Sequence, residues 1–225
     1  MAKPMFDADA LISAFENATA QQGAQLKKAV SDATLASLQG RELTLKNIRA
    51  ALKAVTDAAS AGAAKNLTSG VDAGALLDQA VAGMDQALLK AVEANRVALG
   101  QLVSQGADLR EKHLKKALDD LDKFEDTMFA AVRKAAAGVE GPMAGAWNQV
   151  LEKMQAGGTL SGAKASTTVE QLAAQMQDAM RTSRAASMRA AQAMAESYTA
   201  MVSGVLLGMS DALQSGAAKK TPAKK

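Results

Sequence analysis

The chain has one histidine, His113, and no cysteine, so the usual nucleophilic and metal chemistries have little to start from. His113 sits in Arg110-Glu-Lys-His-Leu-Lys-Lys116, among charged neighbours, with no serine partner marked out by pattern and no second histidine to complete a metal site. Asp119, Asp120, Asp122, Glu125 and Asp126 look at first like a cation cluster. They lack the glycine and ligand spacing of a calcium loop, and on a helix they spread over more than one face. Solvated acids paired with Lys116 and Lys123 are the expectation. Asn66-Leu-Thr68 has the form of a glycosylation acceptor, which matters only behind a secretory signal, and Met1 to Asp9 lacks the pattern of one. No glycine-rich phosphate cradle, dinucleotide fingerprint or nucleophile elbow occurs. The chain therefore reads as non-enzymatic, with no catalytic residue, metal or cofactor to assign.

Two features can bind instead. Leu172, Met176, Met180, Met194, Met201, Val205 and Met209 recur at helical spacing near the C-terminus, on a stripe that also takes in Ser183, Ser187, Ala191, Tyr198 and Leu213, and six of the twelve methionines fall on that stretch. Such a stripe is either an ordinary seam of a helical bundle or a face for a hydrophobic surface or partner, since methionine adapts best to an irregular one. Lys219, Lys220, Lys224 and Lys225 form a basic tail with no acid among the last ten residues. They offer weak, sequence-independent attraction to DNA phosphates, without interleaved aromatics to stack bases. The formal charge of +3 belongs to this tail, and the rest of the chain is close to neutral.

These features must be positioned by helices. With only 3% aromatic residues and abundant alanine, the chain lacks the large side chains of an ordinary core. Long helices packed along their length, or self-associated as a homo-oligomer, are then needed to bury enough apolar surface. A first stripe runs through Leu11, Ile12, Phe15, Leu26, Val30, Ala33, Leu38, Leu45, Ile48, Leu52 and Val55. A second runs through Leu77, Val81, Met84, Leu88, Ala91, Asn95, Leu99 and Leu102 and resumes through Leu114, Leu118, Leu121, Phe124, Met128 and Val132. These predict helices over 9–64 and 72–137, paired antiparallel, with breaks near Gly40 and Gly106 as alternatives. Asp72 is placed to cap the second.

The expected fold is all-α, a helical bundle or coiled-coil-like hairpin. Its parts are a long helical hairpin over 1–137, a Gly/Pro-interrupted short helix and flexible linker over 138–166, a Met-rich amphipathic helix over 167–215, and a disordered lysine-rich tail over 216–225. Pro142 among glycines interrupts the helix before Trp147, residues 157–166 have linker composition, and Thr167/Glu170 or Thr168/Gln171 have capping-box spacing. No apolar run approaches the roughly 20 residues of a transmembrane helix. The absence of cysteine fits a reducing, cytoplasmic setting.

The tail Ala218-Lys-Lys-Thr-Pro-Ala-Lys-Lys225 resembles the Pro-Ala-Lys-Lys-type tails of bacterial polyhydroxyalkanoate granule-associated proteins, and also those of histone-like DNA-binding proteins. The cysteine-free body, rich in alanine, glutamine and methionine, with mildly amphipathic stretches such as Val169-Glu-Gln-Leu-Ala-Ala-Gln-Met176, is similar in style to the phasins. The resemblance implies a non-catalytic coat on intracellular polyester granules, binding through amphipathic helices, with a nucleoid role for the tail. It implies no catalytic residue. A helical scaffold or adaptor engaging other proteins is the alternative.

Overall fold

The computed structural model describes residues 7–16, 23–38, 44–66, 72–105, 112–182, 198, 201–207 and 209. Every element among them is a helix: α1 (Ala8–Glu16), α2 (Gly23–Leu38), α3 (Leu45–Asn66), α4 (Ala73–Ser104), α5 (Lys112–Asp122), α6 (Phe124–Ala137), α7 (Pro142–Gly157) and α8 (Leu160–Thr182). Residues 201–207 are helical as well. None of the described helices is long and apolar enough to cross a membrane.

The apolar stripes form one core. Every member of the second stripe from Leu77 to Leu102 is buried, Asn95 included, and so are Leu114, Leu121, Phe124, Met128 and Val132. The spine is α4, which at 32 residues is roughly 48 Å long and packs against α2, α3, α7 and α8.

Contacts between side chains fix the directions. Gln79 and Val30 approach Gly23 and Gly83 respectively, so α2 and α4 run the same way. Gln149 lies beside Gly74, Lys153 pairs with Asp78, Leu160 and Ser161 bond to Asp85, and Lys164 pairs with Glu93. Thus α7 and α8 follow α4 in line. Trp147 Nε1 donates to Ser60 Oγ at 2.9 Å, which sets Ser60 at the level of Gly74, and α3 and α4 therefore fold back on each other. Against α3 run α1, through Phe15 at Gly62 and Glu16 paired with Lys65, and α6.

This arrangement corrects the two long helices expected over 9–64 and 72–137. Within the first, α1 and α3 lie side by side instead of in line. Within the second, Asp85 and Glu125 would stand roughly 60 Å apart on one straight helix, yet both bond the start of α8. Helices end at Leu38 and Ser104, next to the alternative break points Gly40 and Gly106, which lie outside the described residues. Small side chains explain the choice. An alanine-rich stripe gains little from one partner helix, and folding into shorter segments gives each stripe several neighbours.

Close approach requires glycine at two crossings. A Cβ on Gly62 would collide with Phe15, and one on Gly83 would stand 2.8 Å from Val30 Cβ.

Helix starts are capped across the bundle. Asp72 caps α4 as expected, its Oδ1 accepting from Gly74 N at 2.9 Å. The first amide of α3, Leu45 N, donates to Asp120 Oδ2 at 3.3 Å, while Lys116 Nζ holds the same oxygen at 2.8 Å. For α8 the expected flexible linker over 157–166 and the capping box at Thr167 or Thr168 are overturned. The helix opens at Leu160, and Thr167 Oγ1 instead donates to Ala163 O at 3.0 Å. Gly158, at φ 68°, stops α7. Thr159 Oγ1 caps Gly162 N locally, and Asp85 and Glu125 supply acceptors for Leu160 N, Ser161 N and Thr159 N.

Candidate functional site

The described part of the methionine stripe lies partly inside the bundle. Leu172 is buried in the core, as a bundle seam would place it. Further on, the innermost positions are Tyr198, Val202 and Leu206, with Tyr198 Oη donating to the buried Asn95 Oδ1. Met201, Val205 and Met209 flank that line and stay partly exposed, beside Leu207, which is 45% exposed. Tyr198 lies on the expected stripe, and beyond it the buried line runs through Val202 and Leu206, one position past Met201 and Val205. Met176 and Met180 fall on α8 without described side chains. Met194 and the lysines 219, 220, 224 and 225 lie outside the described residues.

The attachment of α8 is unequal along its length. At its start, Asp85 accepts from Leu160 N and Ser161 N, both at 2.9 Å. Glu125 Oε1 accepts from Thr159 N at 2.8 Å, and Thr159 Oγ1 accepts from Gly162 N at 3.0 Å. Beyond that anchor, the buried positions among the side chains described are Ser161, Gly162, Ala165, Thr168 and Leu172, of which Leu172 is the one large apolar group, with Val169 partly buried against the core. Ser161 Oγ and Thr168 Oγ1 are buried with no hydrogen-bond partner, and each such group costs about 1–3 kcal/mol. The remaining tie is Lys164 Nζ to Glu93 Oε2, at 3.4 Å. Hydrogen bonds from Arg96 hold the Glu93 carboxyl below its ordinary value, with Lys164 adding to the shift. By contrast, α7 buries Met143, Trp147, Val150 and Met154.

A second feature is a groove of about 560 Å³ between α3 and α6. Its α3 wall is Arg49, Ala50, Lys53, Thr56, Asp57 and Ser60, positions on one face. The facing α6 wall is largely Ala130, Ala131, Ala135 and Gly138, side chains too short to meet α3, so space remains. On the floor, Thr56 Oγ1 donates to Lys53 O and Ser60 Oγ to Thr56 O, at 3.0 and 2.8 Å. Thr127, 2% exposed, also lines the groove, and its Oγ1 has no partner. The rim carries Arg49, Lys53 and Lys134 against Asp57, which Lys53 already pairs.

A family model matches residues 1–215. The chain belongs to the DUF6781 family. That family is one of unknown function. No curated protein matches the chain, and neither does any solved structure.

Of the acids that resemble a cation cluster in this DUF6781 member, Asp120 and Glu125 are spent on capping α3 and α8. No group of three or more potential metal ligands occurs among the described residues. The groove has a sequence signal in Ala50, Ala130, Ala131 and Ala135, but it means something only once α3 is known to face α6.

Proposed function

We propose that this protein is a non-catalytic, phasin-like coat of a hydrophobic granule surface, with α8 and the C-terminal segment as its attachment element. The observation that carries the reading is the unequal hold on α8. It is fixed at its start by Asp85 and Glu125, while its seam from Ser161 to Leu172 holds, among the described side chains, one large buried apolar group and two unpartnered hydroxyls. Segments with few buried apolar contacts open at the lowest free-energy cost. Opening α8 frees Leu172, and Met201, Val205 and Met209 are already partly exposed. An amphipathic helix so released can lie in an apolar interface. The body from α1 to α7 keeps its own core, with Trp147, Phe15 and Phe124 fully buried, and serves as the outward layer.

The alternative is an adaptor in which the same segment docks onto a partner protein. Co-sedimentation with purified polyester granules, beside liposomes and with Met194→Gln/Met201→Gln, tests the choice. Each glutamine presents an amide to the apolar phase at about 1–3 kcal/mol, so the variant should partition less to granules. Undiminished partition of the variant, together with a large fall in melting temperature, would leave the coat reading without its element and favour the adaptor.

A further inference from the structure

We infer that the groove between α3 and α6 is a binding site for a single-chain amphiphilic carboxylate of medium length. The inference is independent of how α8 attaches. The cavity of about 560 Å³ falls within the ordinary range of small-molecule sites, which are mostly apolar with a few placed polar groups. The groove from Arg49 to Ser60 is roughly 16 Å long at the helical rise. Its α6 side offers the methyl groups of Ala130, Ala131 and Ala135, with Val139, for an alkyl chain to lie on, while the α3 side is polar apart from Ala50, and there the Thr56 and Ser60 hydroxyls already bond backbone carbonyls.

Charge selects the head group. Among the lining residues Asp57 is the sole acid, and it is already paired with Lys53. Arg49 and Lys134 have no ion-pair partner among the described residues, so the rim carries an uncompensated positive charge. A neutral alkane or a cationic amphiphile leaves that charge unmet, and an anion meets it. Thr127 adds an independent indication. A buried hydroxyl without a partner is uncommon in a folded protein, and this one lines the cavity where a ligand oxygen can reach it. Thr34 and Thr56, by contrast, bond backbone carbonyls one turn back, at 2.7 and 3.0 Å.

The test is a titration of the full chain with octanoate, decanoate and decanol below their micelle concentrations, followed by calorimetry. Decanoate should bind saturably at one site, and each added CH₂ from octanoate should tighten binding about fourfold, the ratio expected for burying a methylene. Arg49→Gln/Lys134→Gln should weaken decanoate roughly tenfold to a hundredfold, as losing charge-assisted hydrogen bonds implies, and leave decanol nearly unchanged. Ala50→Leu/Ala130→Leu fills the groove from exposed positions without harming helix propensity, and should abolish binding of both while the melting temperature holds. No saturable binding by the unaltered protein, or equal binding by the leucine variant with its fold intact, overturns the inference. Capture of anionic vesicles that the leucine variant retains would likewise place any lipid contact outside this groove.

Discussion

Replacing Thr168 by valine should tighten the seam of α8. The Thr168 side chain is fully buried, and its hydroxyl makes no hydrogen bond. Valine has nearly the same shape and a similar helix propensity, so the substitution removes a desolvated polar atom and little else. The relief is about 1–3 kcal/mol. At 1.4 kcal/mol per factor of ten, the opening equilibrium of α8 should fall roughly fivefold to a hundredfold. Native-state hydrogen exchange reads this directly, as slower exchange of amides near Thr168 with amides near Leu88 in α4 as the internal reference. Granule partition should fall by a comparable factor, because only the opened state exposes Leu172. Exchange that is unchanged or faster in the valine variant would refute the reasoning, since it would mean that the hydroxyl is satisfied in solution and the seam is not weak for this cause.

Other perturbations probe the anchors and crossings. Asp85→Ala leaves Leu160 N and Ser161 N without their acceptor; loss of a cap costs about 0.5–2 kcal/mol, and thermal unfolding should shift down with fraying at the start of α8. Gly83→Ala should destabilise by about 1–3 kcal/mol through overpacking against Val30, whereas Gly100→Ala, with open space around it, should gain up to about 1 kcal/mol of helix propensity; melting curves decide both. Hydrogen bonds from Arg96 hold the Glu93 carboxyl below its ordinary value. Its contribution is therefore present above the unfolded value and lost as pH falls through the depressed folded one. An NMR titration should find its midpoint under 4.5, and Arg96→Gln should raise it.

The helical class and much of the core were legible because the stripes are periodic. Leu77 to Leu102 step by three and four, and all of them are inside. Asp72 was legible as a cap because its partner amide is two residues away. The start of α8 was not, because its acceptors, Asp85 and Glu125, come from two other helices while Gly157 to Gly162 has the composition of a linker. The same remoteness hid the fold-back of α6 onto α3, and with it the groove, which exists through the shortness of alanines on both walls. The methionine stripe misled by one position. Tyr198 and Asn95 each stand on an expected stripe and do meet, but beyond Tyr198 the buried positions are Val202 and Leu206, while Met201 and Val205 stay at the margin.

The central claim is that α8 must leave the bundle for the protein to hold a granule surface. Glu93 and Lys164 meet across the α4–α8 seam, and the chain has no cysteine, so Glu93→Cys/Lys164→Cys can be bridged by a short, reducible bis-maleimide without background reaction. The bridged protein should lose granule partition, and reduction of the bridge should restore it to the level of the unbridged variant. Full partition with the bridge intact would contradict the account, because α8 would then be binding nothing that its release provides.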